Sequence, residues 1–241
     1  MSPIPDNEVR RLRAVAEDES HLIRLIVRRE SGEPLQYLEG TAAFGPFDLA
    51  VDRRVLIPRP ETEGLWELAR SLAPDPALVV DLGTGSGALA IALAHSFPAA
   101  HVIGTDVSGE ALDVARGNGA SLAPGVEWRE GDLFDALDRG LVGKVDLIVS
   151  NPPYVREGEW DDLPADVRNE PRTALIGGLT GLEVLERIAG EAQRWLSPGG
   201  WIACEIGETQ RSAMLGLFDG YREVHVTRDL SGRDRYLVAG R

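Results

Sequence analysis

Hydrophobic positions change rhythm twice along the chain. Over residues 8–30 they fall at Val9, Leu12, Val15, Leu22, Leu25 and Ile26, a helical spacing interrupted near Asp18-Glu-Ser20. That spacing predicts one or two short amphipathic helices in need of a partner surface. Residues 33–57 lose the period. Two strand-like stretches there, 44–51 and 54–57, predict a hairpin that joins the helical appendage to the rest of the chain. Residues 61–72 return to helical spacing, with Leu65, Leu68, Ala69 and Leu72 on one face. From residue 77 onward the pattern alternates. Strands are predicted at 77–82, 101–106, 126–129, 144–150 and 201–206, and helices at 88–95, 109–116, 182–196 and 209–218. Two further strands, near 223–227 and 235–239, follow with no helix between them. Alternation of this kind predicts an α/β fold, a mostly parallel sheet covered on both faces. The last two strands then pair as an antiparallel hairpin at one edge. The expected division is a short N-terminal helical segment at 1–35, a linker hairpin at 36–60 and the main domain at 61–241.

Composition narrows the function classes. A chain of 241 residues that is 43% hydrophobic fits one substantial domain with a small appendage. The formal net charge of −14 repels phosphate backbones, so direct nucleic-acid contact is not expected. The single cysteine, Cys204, permits no internal disulfide and suits a cytoplasmic location. The four histidines are scattered without ligand spacing, so no metal site is expected. The N-terminus lacks a basic start followed by an apolar stretch, and no apolar run approaches the roughly 18 residues needed to span a bilayer.

Three segments at predicted strand ends carry candidate chemistry. Asp81-Leu-Gly-Thr-Gly-Ser-Gly87 links the first strand of the main domain to its helix. Glycines there permit a sharp turn and close approach of a ligand, although the plainer reading is a tight strand-to-helix turn. Asp106 ends the next strand, where an acid can accept hydrogen bonds from ribose hydroxyls. It could also cap the following helix, a role open to Ser108. Gly131-Asp-Leu-Phe134 follows the third strand, and Phe134 either borders an adenine ring or fills the core. The fourth strand then delivers Asn151-Pro-Pro-Tyr154. Two prolines fix φ and remove two N–H donors, which keeps the loop and its carbonyls out of regular structure. An amide, a free carbonyl and a flat ring at one spot suit a planar group whose –NH₂ is to be alkylated. Alone, the tetrapeptide reads equally well as a rigid strand exit. Beside an adenosine site it points to S-adenosylmethionine as methyl donor rather than to a nicotinamide.

These strings together resemble the HemK/PrmC family of protein-glutamine methyltransferases, from about residue 33 to the end. The resemblance rests on Gly32-Glu-Pro-Leu-Gln-Tyr-Leu-Glu-Gly40, Leu56-Ile-Pro-Arg-Pro-Glu-Thr-Glu63, residues 81–87, the Asn-Pro-Pro-Tyr loop, Glu170-Pro-Arg-Thr-Ala-Leu175, Gly177, Gly178, Gly181, Glu205-Ile-Gly207, Gln210 and Asp229-Leu-Ser-Gly-Arg-Asp-Arg235. It implies a class I S-adenosylmethionine-dependent methyltransferase: Rossmann-like, with a seven-stranded mostly parallel sheet, an antiparallel edge hairpin and a short N-terminal helical appendage. The helical part before the hairpin is shorter than is usual in the family. The implied activity is methylation of the glutamine amide nitrogen in the Gly-Gly-Gln motif of peptide chain release factors, with S-adenosyl-L-homocysteine as product. The implied catalytic residues are Asn151, Pro152, Pro153 and Tyr154. Gly83, Thr84, Gly85, Ser86, Gly87, Asp106, Phe134 and Asn151 would line the cofactor. Asn151 and the Pro152 carbonyl would accept from the substrate –NH₂, and Tyr154 would pack on the amide plane.

The Arg59-Pro-Glu-Thr-Glu63 segment reads as an acidic helix start on its own, and as a wall of the cofactor site through the resemblance. The acidic stretch at 157–170 is a solvated loop or a surface for a basic partner. The expected enzyme is monomeric, with release factors as protein substrates and no membrane partner. Alternative acceptors are a glutamine of a large-subunit ribosomal protein or of another protein, or an adenine of nucleic acid. The last shares the Asn-Pro-Pro-Tyr loop but fits the acidic charge poorly.

Overall fold

The computed structural model describes residues 4–241, so the first three residues of the 1–35 segment lie outside the described residues. Two helices open it, α1 (Asp6–Val15) and α2 (Glu19–Glu30). They separate at the interruption in the hydrophobic pattern, where the Asp18 side chain accepts from the His21 N–H and caps α2. A third helix, α3 (Leu35–Glu39), forms where the sequence pattern predicts none. It begins after Pro34 and ends at Gly40, whose φ of 76° is left-handed. Leu12, Leu22, Leu25, Leu35 and Leu38 bury one another between the three helices.

The hairpin differs from expectation. Strands β1 (Thr41–Phe44) and β2 (Phe47–Ala50) turn at Gly45-Pro46, inside the first predicted stretch, and Phe44 pairs with Phe47. Residues 54–57 are not its second strand. They run as a strap with Val55 and Ile57 buried. The strap's polar groups find partners outside any sheet: Tyr37 Oη donates to the Val55 carbonyl at 2.6 Å, and Ile57 N–H donates to Glu170 at 2.9 Å. An apolar run of four cannot distinguish strand pairing from such distant partners.

Glu33 pins α2 to the segment after the hairpin. It is 2% exposed and ion-paired with Arg28 at 2.6 Å and Arg53 at 3.0 Å. The two guanidinium groups hold its carboxyl down at about 2, with Arg28 the larger influence. A lowered folded-state pKa adds stability above the ordinary carboxylate range, which is lost as pH falls toward 2. Both arginines are half exposed, so screening leaves about 1–2 kcal/mol. Glu33→Gln is expected to lower urea-unfolding stability by that amount at pH 7, with the difference from wild type shrinking below pH 4.5 and vanishing only below about pH 2.

The remaining elements are α4 (Pro60–Leu72), β3 (Leu78–Leu82), α5 (Ala88–Ser96), β4 (His101–Asp106), α6 (Gly109–Leu122), β5 (Glu127–Glu130), β6 (Val145–Ser150), α7 (Arg172–Leu175), α8 (Glu183–Trp195), β7 (Leu196–Glu205), α9 (Arg211–Leu217), β8 (Glu223–Arg228) and β9 (Asp234–Gly240). Seven strands form one sheet in the order β5-β4-β3-β6-β7-β9-β8. The first five are parallel, and β9 runs antiparallel to both of its neighbours. Strands β3 and β6 are buried on both faces, as their Val-, Leu- and Ile-rich runs require. Helix α6 extends six residues beyond its predicted end. The Gly117-Asn-Gly119 stretch reads as a stop, yet Trp128 packs directly on Gly119, and Asn118 bridges Ala50 and Ser86. Among the described residues no helix is long and apolar enough to cross a membrane.

The strand order places β4 on one side of β3 and β6 on the other. Loops leaving the carboxyl ends of these strands therefore diverge and open a crevice, the usual ligand position in open α/β sheets.

Candidate active site

The glycine-rich loop after β3 forms the floor of this crevice. Gly83, Gly85 and Gly87 adopt φ of 71°, 54° and 85°, which side-chain-bearing residues adopt at a cost. Asp81 is 1% exposed, and its Oδ2 accepts from Thr84 Oγ1 at 2.6 Å and from Ala90 N–H at 3.2 Å. Its Oδ1 has no hydrogen-bond partner among the described residues, and burial pushes the carboxyl up to about 7. Asp106 steadies the loop from β4. Its Oδ2 accepts from Gly85 N–H and its Oδ1 from Ser108 N–H, both at 2.9 Å. The cap of α6 is Ser108, which takes the Ala111 N–H, so Asp106 is free of that role.

A cavity of about 380 Å³ lies over this floor. Gly83, Thr84, Gly85, Ser86, Asp106, Val107, Leu133, Asn151 and Pro153 line it, and Leu56, Pro58 and Thr62 enclose it from the strap and α4. Gly87 begins α5 and does not line it. Phe134 requires a correction. Its ring is 2% exposed, stacks on Trp195 at 5.8 Å and belongs to the core. The cavity wall at that turn is Leu133, at φ 50°. Two adjacent apolar residues on a 3₁₀ turn point different ways, and only the packing of α8 determines which one faces the sheet.

At the end of β6, Asn151 Nδ2 donates to Thr62 Oγ1 at 3.0 Å. Pro152 is buried, Pro153 faces the cavity, and no backbone N–H among the described residues donates to the Pro152 carbonyl. Tyr154 does not line the cavity. It packs against the core, and its hydroxyl donates to Glu205 Oε1 at 3.0 Å. Burial, with the Glu205 charge second, pushes its phenol well above the ordinary range. The loop is clamped from outside. A side chain at Gly177 or Gly181 would collide with the carbonyl of Pro153 or Tyr154, and Gln210 Nε2 donates to the Tyr154 and Gly181 carbonyls at 3.1 and 3.0 Å.

The 59–63 segment divides its duties. Arg59 pairs with buried Glu170, Pro60 begins α4, Thr62 lines the cavity, and Glu63 accepts from the Gly45 N–H at 3.0 Å. Thr62 also donates to Glu205 Oε2 at 2.9 Å. In the sequence Thr62 and Glu205 stand inside longer strings, and nothing local signals a contact across 143 positions.

A seven-stranded, mostly parallel sheet that brings a glycine loop and a strand-end carboxylate to its switch point defines an S-adenosylmethionine-dependent methyltransferase of class I. A family model described as "Methyltransferase small domain" matches residues 67–166. A methyltransferase structure from Pyrococcus furiosus shares the fold at a TM-score of 0.62, with 21% identity over 82% of this chain and 90% of that one. Among curated relatives, the release factor glutamine methyltransferase of Koribacter versatilis is 40% identical over 92% of this chain and 80% of its own. That of Mycolicibacterium smegmatis is 45% identical over 90% of this chain and 78% of its own. The chain belongs to the release factor glutamine methyltransferase family.

Proposed function

We propose that this enzyme methylates the side-chain amide nitrogen of the glutamine in the Gly-Gly-Gln motif of peptide chain release factors, acting as a cytoplasmic monomer. The observation that carries the proposal is Asn151 at the wall of the cofactor cavity, with its Nδ2 committed to Thr62 and its Oδ1 given no donor among the described residues. The relatives' shared name supplies the substrate. Residues 1–35 would be a short N-terminal helical segment and 36–60 a linker hairpin leading into the methyltransferase domain at 61–241.

The cavity fits the cofactor. Asp106 spends one lone pair of each oxygen on the backbone, which leaves both oxygens able to accept from ribose hydroxyls. Val107 and Leu133 offer apolar surface to an adenine, and the unpartnered Asp81 Oδ1 and the turns at Gly83 and Gly85 suit the amino-acid end. When bound, S-adenosylmethionine supplies an electrophilic methyl group on a sulfonium and leaves as S-adenosyl-L-homocysteine.

The protein has to make a poor nucleophile attack. An amide nitrogen shares its lone pair with its carbonyl. Asn151 Oδ1 and the Pro152 carbonyl would accept the two N–H bonds, push density back to nitrogen and fix its direction. The nitrogen becomes far more acidic as it bonds to the methyl carbon and releases one of these protons to solvent, so no strong base is needed. Pro153 would close the wall beside the reacting group. Tyr154, held by Glu205, would brace the loop and pack on the amide plane of the glutamine. Positioning and electrostatics of this kind can account for roughly 7–11 kcal/mol of barrier lowering without a covalent intermediate. Methyl transfer from labelled S-adenosylmethionine to a release factor, but not to its Gly-Gly-Ala variant, is the expected result. Equal labelling of both would refute the reading.

A further inference from the structure

Two side chains outside the Asn-Pro-Pro-Tyr loop form a hydrogen-bonded chain that ends on the Asn151 amide. Glu205 closes β7 and is 2% exposed. Its two oxygens each take one hydroxyl, Thr62 Oγ1 at 2.9 Å and Tyr154 Oη at 3.0 Å. A carboxylate has no proton to give, so both hydroxyls must donate to it. A threonine hydroxyl has a single proton. Once that proton points at Glu205, the Thr62 oxygen can only accept, and the group it faces is the Asn151 amide at 3.0 Å. The amide therefore turns Nδ2 toward Thr62 and leaves Oδ1 on its other side. Reversed, the amide would present its own N–H bonds to a substrate –NH₂, and two donors would face each other.

We infer that Thr62 and Glu205 are positioning residues: the buried Glu205 carboxylate, acting through the Thr62 hydroxyl, fixes the Asn151 amide with Oδ1 as the acceptor for the substrate nitrogen. Both ends of the loop are then set by one charge, because Glu205 also holds Tyr154. Arg235, 8% exposed, sits behind this group, donating to the Ile206 carbonyl at 3.1 Å and lying 3.5 Å from Tyr154 Oη. Burial raises the Glu205 pKa; the two hydroxyl hydrogen bonds and then the Arg235 charge oppose it and favour the ionised form, on which the polarity of the relay depends. The inference rests on the proposed role of Asn151 as acceptor.

Thr62→Val keeps the side-chain shape and removes the hydroxyl. It is expected to lower kcat about tenfold, while KM for the protein substrate and the Kd for S-adenosylmethionine change less than about twofold. Thr62→Ser restores the hydroxyl and is expected to recover kcat to within about twofold. Glu205→Gln should also lower kcat, since its amide keeps one acceptor oxygen for two hydroxyls and either the Thr62 arm or the Tyr154 arm is lost. The readout that a merely structural role would not move is the Asn151 side-chain ¹⁵N–¹H₂ signal of the substrate-free protein. One of its protons should be shifted and protected from exchange in wild type and in Thr62→Ser, and should lose both properties in Thr62→Val. Wild-type kcat in Thr62→Val, a serine variant as slow as the valine, or an unchanged amide signal would each overturn the relay. Should Thr62→Val not fold, Thr62→Ala carries the same expectations. The spectroscopic measurement needs no substrate, so it separates failure of the relay from failure of the glutamine reading, which would show instead as wild-type enzyme that labels no release factor.

Discussion

Asn151→Ala is expected to reduce methyl transfer about 10²–10³-fold, the range seen when one preorganised polar group is removed from a reacting centre, while S-adenosylmethionine binds within about twofold of wild type. The asymmetry follows from where the side chain makes its contacts. Asn151 gives Nδ2 to Thr62 and has no hydrogen bond to the glycine loop or to Asp106. Removing it leaves the loop hydrogen bonds intact and takes away an acceptor needed only as the substrate nitrogen gains a bond. The loop should keep its path, because Gln210 and the close approach of Gly177 hold it independently of Asn151. Asn151→Asp is a useful companion. It keeps an acceptor but loses the donor to Thr62, so Thr62 is left beside two carboxylates. Single-turnover rates with saturating cofactor, together with calorimetric Kd values, check the prediction. Near-normal turnover in the alanine variant would refute the acceptor geometry.

Asp106→Ala should give the opposite profile, with a Kd for S-adenosylmethionine raised about 30–100-fold and kcat at saturating cofactor within about threefold of wild type. Two losses add. A charge-assisted hydrogen bond contributes about 1.5–3 kcal/mol, and the ribose hydroxyls would lose one or two such acceptors. The Gly85 and Ser108 N–H groups also lose their partner, which loosens the loop before any ligand arrives. Asp106→Asn keeps one acceptor oxygen but places an –NH₂ beside one of those two donors, so an intermediate Kd is expected. Calorimetry with S-adenosylmethionine and with S-adenosyl-L-homocysteine measures both variants. An unchanged Kd would remove Asp106 from the cofactor site.

Both profiles trace back to features of differing legibility. Strands β3, β4 and β6 are apolar runs bounded by polar or glycine-rich breaks, and such runs suit full burial in a parallel sheet. The chemistry attached to their ends was legible for the same reason: a short loop after a buried strand emerges at the carboxyl edge, so Gly83, Asp106 and Asn151 were placed near one another by topology. The misplaced features depended on distant partners. The strap at 54–57 is held by Tyr37 and Glu170, α6 continues through two glycines because Trp128 covers Gly119, and Phe134 turns inward to meet Trp195. Tyr37, Glu170 and Trp195 lie far along the chain from what they hold, and Trp128 belongs to the next strand, so helix propensity at 109–122 carries no information about them.

By itself the sequence determined the layered α/β architecture, the glycine loop, the strand-end acid and the Asn-Pro-Pro-Tyr exit, because each follows from periodicity or from backbone restrictions that act within a few residues. The tertiary structure alone decided which atoms face the cavity. It put Leu133 rather than Phe134 in the wall, freed Asp106 by giving the helix cap to Ser108, and set Thr62 against Glu205 across 143 positions. The physical reason is that a hydrogen bond's direction depends on every partner its atoms share. For Asn151 that chain runs through Thr62 on α4 to Glu205 on β7, elements that meet only once the sheet is assembled.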